Sequence, residues 1–199
     1  MNPRGVRYLK LILFVLSLTP ALLLLEGALS DALGTNPVET LVRDTGQWTL
    51  RFLLITLLIS PLRQLTGQSQ LLRLRRMLGL FAFFYALLHL SLYIGLDKFL
   101  YWDEILNDIL DRPFITIGML AFVLLVPLAI TSTDAMMRRL GRNWVKLHKL
   151  VYVIAVAGVV HFYMLVKADV TEPVIYGLIL AVLLMFRLPA IKRWRPFRA

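Results

Sequence analysis

RPFITIGMLAFVLLVPLAITSTDAMMRRLGRNWVKLHKLVYVIAVAGVVHFYMLVK, residues Arg112 to Lys167, decides the fold. Two apolar runs, Pro113 to Ile130 and Leu147 to Val166, flank a loop rich in arginine and lysine. A helix rises about 1.5 Å per residue, so each run is long enough to cross the roughly 30 Å hydrocarbon core of a bilayer. Helices suit that medium because they satisfy their own backbone polar groups. The basic loop between the runs marks a cytoplasmic membrane face.

Working outward, four more runs have the same character: roughly Tyr8 to Leu29, Gly46 to Leu62, Met77 to Leu96 and Pro173 to Leu188. With 59% hydrophobic side chains in 199 residues, the chain has more apolar surface than a soluble domain can bury. The expected architecture is an all-α integral membrane protein, a six-helix transmembrane bundle forming a single domain over residues 1–199, with lipid around it. Alternate connections carry Arg4, Arg7 and Lys10, then Arg63, Arg73, Arg75 and Arg76, then Arg138, Arg139, Arg142, Lys146 and Lys149, then Arg187, Lys192, Arg193, Arg195 and Arg198. These are 17 of the 22 basic residues, and they place both termini in the cytoplasm. The intervening segments hold every carboxylate but Asp134. The net charge of +10 is therefore a topological signal and does not imply a nucleic-acid partner. A basic start, a leucine-rich run and Ala28-Leu29-Ser30 also resemble a signal peptide. With Met1 present, that segment is expected to be retained.

No cysteine is present, which excludes disulfides, thiolate zinc sites, cysteine-held iron–sulfur clusters and covalent c-type haem. Any metal must be held mainly by histidine, and the chain has three: His89, His148 and His161. His89 lies 13 residues beyond Arg76 and His161 lies 12 residues beyond Lys149. These separations put the two rings about 19.5 and 18 Å into the membrane from the same side. If the third and fifth spans are neighbours, a planar macrocycle fits between them with His89 and His161 as axial ligands. Ala82, Ala86, Ala155, Ala157 and Gly158 would give it room, and Phe84, Tyr85, Phe162 and Tyr163 would wall it.

The alternative for a lone intramembrane histidine is a hydrogen bond to a neighbouring helix. His148 stands at the cytoplasmic boundary, where it is either the ligand of a second, inner haem or an interfacial histidine without metal. Thirteen steps of about 100° leave it about 140° from His161 around an ideal helix, so a shared face needs a bend or local unwinding. At the matching level stand Arg75 and Arg76, either partners for a haem propionate or positive-inside anchors. Met164, one turn from His161, is read as a packing or lipid-facing residue. Between the third and fourth spans, Trp102, Ile105, Leu106, Ile109 and Leu110 recur at helical spacing opposite Asp103, Glu104, Asp108 and Asp111. This predicts a short amphipathic helix on the outer surface, serving as a lid or as a docking surface.

Three stretches carry a family resemblance: RLRRMLGLFAFFYALLHLSLY (Arg73 to Tyr93), the opening stretch, and TGQWTLRFLLITLLISPLR (Thr45 to Arg63). Leu88-His89-Leu90, the run from Thr131 to Tyr152, and His161 are its most specific parts. Together they resemble the MsrQ (YedZ) family, haem-binding membrane subunits of periplasmic methionine sulfoxide reductase systems in the ferric reductase and NADPH oxidase transmembrane superfamily. The resemblance implies haem b, one or two per chain, with His89, His148 and His161 as iron ligands, and an association with FMN for which no residue is assigned. It implies an electron-transfer subunit in a bacterial inner membrane, one that supports repair of oxidised periplasmic proteins. Electrons would come from the quinone pool or a separate flavin reductase and pass to a periplasmic molybdenum-dependent partner of the MsrP type. About 11 residues follow the last span and no Gly-x-Gly-x-x-Gly fingerprint appears, so the chain is not expected to oxidise NAD(P)H by itself. The competing readings are a stand-alone cytochrome b reducing ferric iron or oxygen, a histidine-dependent transporter, and a purely structural anchor for a periplasmic enzyme.

Overall fold

The computed structural model describes residues 3–187, and among these the chain is helical with no strand. The order is α1 (Pro3–Leu29), α2 (Pro37–Thr66), a 3-10 turn (Ser69–Leu71), α3 (Leu72–Leu92) running into a π-helical turn (Tyr93–Asp97), and α4 (Trp102–Asp111). Then come α5 (Pro113–Ile130), α6 (Asp134–Leu140), α7 (Arg142–Leu147), α8 (Leu150–Leu165) and α9 (Thr171–Met185). Four segments, Arg7–Leu29, Ser69–Asp97, Pro113–Ile130 and Arg142–Leu165, are long and apolar enough to cross a membrane, and α9 is a shorter apolar helix. Exposed side chains such as Leu11, Leu22, Leu23, Val123, Leu178 and Val182 form the surface such helices present to lipid. Lys192, Arg193, Arg195 and Arg198 lie outside the described residues.

The helix α2 runs well past the stretch expected from hydropathy. Asn36 caps it, accepting the Glu39 backbone N–H at 3.3 Å, and Pro37 enters at the first turn, where its missing N–H costs nothing. Its 30 residues span about 45 Å, so its first turns overhang an apolar layer of about 30 Å. Glu39, Arg43 and Asp44 occupy that overhang. Arg51 lies deeper, with Nε donating to the Tyr176 hydroxyl at 2.8 Å and Nη2 donating to Gln47 Oε1 at 2.9 Å. Gln47 in turn donates to Glu172 at 2.8 Å, so a polar seam ties α2 to α9.

Packing builds two close pairs, α2 along α3 and α5 along α8, with α3 touching α5 and α2 touching α8. The four helices form a ring in which α3 and α8 face each other across a diagonal. The condition set for the third and fifth spans is met across the interior: each histidine helix packs chiefly against its own partner, and the two approach each other through the space between the pairs. Leu53, Leu57, Leu78, Ala82, Ile154 and Ala155 are buried in the core. Tyr85, also buried, turns toward α1 and inserts its hydroxyl into that helix, donating to Ser17 O at 2.7 Å and accepting from Ala21 N–H at 3.1 Å. It replaces a helical hydrogen bond beside Pro20, a recognised way of accommodating a break in the ladder.

The expected amphipathic helix is α4, with Ile105 buried and Trp102, Leu106 and Leu110 exposed. Asp108, assigned from spacing to the polar outer face, is instead buried. It accepts from Lys98 Nζ at 2.7 Å, Tyr93 Oη at 3.0 Å and Arg112 Nε at 3.1 Å. This bracket ties the end of α3 to the start of α5 across a turn in which Phe99 and Leu100 are both left-handed, at φ 46° and 62°. Burial pushes the Asp108 carboxyl up, but hydrogen bonds from Lys98 and Tyr93 and the charges of Lys98 and Arg112 outweigh it and leave it below the usual carboxylate range. On the opposite end, Gly141 at φ 50° reverses the chain between α6 and α7 within the basic loop.

Candidate functional site: a facing histidine pair

His89 on α3 and His161 on α8 project into the space between the two helix pairs. Their ring centroids lie 6.3 Å apart with the planes 82° to each other. The matched depths read from the sequence are therefore a real juxtaposition. Each ring is anchored by a helix other than its own: His89 Nδ1 lies 2.8 Å from the Val42 carbonyl oxygen on α2, and His161 Nδ1 lies 2.6 Å from the Phe114 carbonyl oxygen on α5. A carbonyl only accepts, so both rings donate from Nδ1, and in a neutral imidazole Nε2 then carries the free lone pair. Nε2 of neither ring has a hydrogen-bond partner among the described residues.

A cavity of about 630 Å³ includes both rings in its lining, together with Leu50, Gly46, Gly118 and Gly158. Its lining also includes the charged residues Arg43, Arg112, Glu39 and Asp97. Gly46 and Gly118, which the reading of the sequence passed over, lie directly against the His89 and His161 rings. The signal that points to them is an isolated glycine inside an otherwise helical pattern. Of the expected wall and spacer residues, Ala86, Gly158 and Phe162 line the cavity. Phe84 and Tyr163 are exposed on the outside of the bundle, Tyr85 faces α1, and Ala82 and Ala155 pack in the core. Met164 is exposed, as expected of a lipid-facing residue.

A second cavity of about 560 Å³ lies toward the basic end. His148, Arg75 and Arg76 line it together, so the structure brings the three residues into one place. Leu53 and Leu125 line both cavities, which makes them neighbours end to end. His148 stacks on Trp144 at 3.9 Å, its Nε2 is 3.0 Å from Thr131 Oγ1, and Trp144 donates to the Thr131 carbonyl at 2.8 Å. It sits at the break between α7 and α8, and it lines a different cavity from His161. Arg76 pairs with Asp134, whereas Arg75 has no ion-pair partner among the described residues. No second histidine faces His148, and no group of three His, Cys, Asp or Glu side chains suited to a metal ion occurs among the described residues.

Chemically, the first cavity offers two imidazoles whose rings approach one another, each with Nε2 free of a hydrogen bond, in a largely apolar enclosure. The second cavity offers one imidazole among cations. A family model described as "Ferric reductase like transmembrane component" matches residues 45–159, which include His89 and His148 and stop just before His161. A protein of Xanthomonas oryzae pv. oryzae (strain MAFF 311018), named protein-methionine-sulfoxide reductase heme-binding subunit MsrQ, is 58% identical over 158 residues, covering 79% of this chain and 72% of its own. A protein of the same name from Herminiimonas arsenicoxydans is 50% identical over 189 residues, covering 94% and 87%. No solved structure matches the chain.

Proposed function

The chain belongs to the ferric reductase-like transmembrane family, among its MsrQ members, and from that premise we propose that it is the haem-binding, electron-transferring membrane subunit of a methionine sulfoxide reductase system. The observation that carries the reading is the His89/His161 pair. Two metal–nitrogen bonds of about 2 Å, plus about 1 Å from each nitrogen to its ring centre, add to about 6 Å. The observed 6.3 Å fits a metal held between the two rings, and a cavity of about 630 Å³ surrounds them. When bound, haem b supplies a one-electron iron couple whose potential depends on ligands, hydrogen bonding and dielectric.

The protein's own residues do the rest. His89 and His161 present Nε2 as ligands. The Val42 and Phe114 carbonyls hold the rings in one tautomer and raise their basicity. Leu50, Leu53 and Leu125 keep the lining apolar. In the inner cavity, His148 would supply the sole imidazole for a second haem, and Arg75, together with Arg76 once released from Asp134, would pair with its carboxylates. Ligation through His148 Nε2 requires release of the Thr131 hydroxyl. FMN is proposed on family likeness alone, without a residue assignment.

In this account α1, α2, α3, α5, the α7–α8 segment and α9 cross a bacterial inner membrane, with the arginine-rich connections in the cytoplasm. Electrons enter near the basic end from quinol or a flavin reductase. They leave at the acidic outer face to a periplasmic molybdoenzyme of the MsrP type. The test is reconstitution of the purified chain in vesicles with a quinol donor and an MsrP-type acceptor. Methionine sulfoxide reduction that requires this chain, and is lost in His161→Ala, supports the reading; turnover that persists without the chain overturns it.

A further inference from the structure

His89 and His161 are gripped in the same way by two different helices. On α2, Val42 supplies the carbonyl to His89 and Gly46, four residues on, lies against the ring. On α5, Phe114 supplies the carbonyl to His161 and Gly118, again four residues on, lies against the ring. The spacing has a physical meaning. In an α-helix the carbonyl of residue i already accepts from the N–H of i+4, and the side chain of i+4 leans back over the turn that holds that carbonyl. Glycine at i+4 leaves the approach to the carbonyl open to an outside donor. On α2 the Thr45 hydroxyl also reaches the Val42 oxygen at 3.0 Å, its shorter bond of 2.7 Å going to the Leu41 carbonyl.

The space is fully used by the imidazoles. A Cβ added at position 46 would stand 3.0 Å from His89 Cε1 and 3.1 Å from Nδ1. One added at position 118 would stand 2.8 Å from His161 Nδ1 and 2.9 Å from Cε1. These neighbours are rigid rings tethered at Nδ1, so they cannot yield without lengthening the hydrogen bond. Among the described glycines, only these two have histidine as the neighbour that a Cβ would meet. Gly158 and Gly177 would meet Leu50 and Val159 at ordinary contact distances of 3.5 and 3.6 Å.

We propose that Gly46 and Gly118 are positioning residues for the proposed haem ligands: each lets an imidazole reach a main-chain carbonyl, which fixes the proton on Nδ1 and leaves Nε2 to bind the metal. The proposal rests on the haem reading of the pair. A carbonyl-bonded Nδ1–H makes the ligand more basic and favours the oxidised metal, and loss of such an outer partner commonly weakens metal binding about 10- to 100-fold.

The experiment compares wild type, Gly46→Ala, Gly118→Ala and the control Gly177→Ala as full-length chains in nanodiscs. Haem per chain, midpoint potential and the low-spin ferric electron paramagnetic resonance signal are read for each. Both cradle variants are expected to retain haem about 10- to 100-fold less tightly. The haem that remains is expected to show a higher midpoint potential and a shifted low-spin signal, while Gly177→Ala matches wild type. Residual haem with wild-type potential and signal in both variants overturns the proposal, because pure packing defects lower occupancy without altering the ligand. Should the variants fail to insert, electron–nuclear double resonance on wild type decides the matter. Two hydrogen-bonded, slowly exchanging imidazole protons support the cradles, and rapidly exchanging ones overturn them. A wild-type chain lacking low-spin haem overturns the site reading as well, which separates the two failures.

Discussion

Replacing Asp108 by Ala tests how the α3–α5 turn is held. Its side chain is 11% exposed and its carboxylate receives three donors. The Lys98 bond is largely shielded and the Tyr93 bond half so; hydrogen bonds to charged groups are worth about 1.5–3 kcal/mol each. The Arg112 side chain is 54% exposed, so its pairing is discounted to between about 0 and 1 kcal/mol. A net loss of about 3 kcal/mol follows, and release of the left-handed Phe99 and Leu100 adds to the tendency to open. At about 1.4 kcal/mol per factor of ten, amides of α4 should exchange with deuterium about 100-fold faster, while those of α2 and α3 stay unchanged. The loosening should reach the first turn of α5, because Arg112 precedes the Phe114 carbonyl that anchors His161. Exchange in α4 within about threefold of wild type would refute the assigned role of Asp108 as the bracket's centre.

Four further outcomes follow from the same contacts. Because the Asp108 carboxyl is depressed in the folded chain, its stabilisation is fully present above the unfolded value of about 3.9 and lost as pH falls through the folded value. Opening of α4, corrected for intrinsic exchange, should therefore be flat from about pH 5 to 8 and rise only in stronger acid; acceleration between pH 7 and 5 contradicts this. Tyr85→Phe leaves Ser17 O and Ala21 N–H without their bridge and should cost about 1–3 kcal/mol, measured as lowered thermal stability in detergent, with haem content preserved. Arg51→Met removes the link to Tyr176 and Gln47 and should make α9 more accessible to protease without displacing α2 from α3; unchanged cleavage rates refute the seam. His148→Ala should lower haem per chain by one while sparing the low-spin signal of the His89/His161 pair, and an unchanged haem count removes His148 as a ligand.

The all-helical, membrane-embedded character was legible because lipid imposes a coarse code of apolar length. That code also hid the rest. The start of α2 was missed because Glu39, Arg43 and Asp44 dilute its hydropathy, although Asn36-Pro37 is a readable helix entry. Helices α6 and α7 are short basic pieces with too few apolar residues to show a period. Histidine depth was readable from residue counts, since rise per residue is fixed. Rotation was not, because the membrane-embedded part of α3 and all of α8 are apolar on nearly every side and give no stripe to orient them. Hence Phe84 and Tyr163, expected to wall the cofactor, are exposed, and Tyr85 belongs to the contact with α1. The carbonyl anchors escape sequence reading because any residue supplies a carbonyl, and only the pairing of α2 with α3 and α5 with α8 decides which ones meet the rings.

The most direct measurement is the low-temperature electron paramagnetic resonance spectrum of the oxidised full-length chain, with haem and protein quantified together, for wild type, His89→Ala and His161→Ala. The account predicts a low-spin signal of two-imidazole ligation in wild type that disappears from both variants while their helices remain inserted. That low-spin signal, at wild-type haem stoichiometry in either variant, would contradict it.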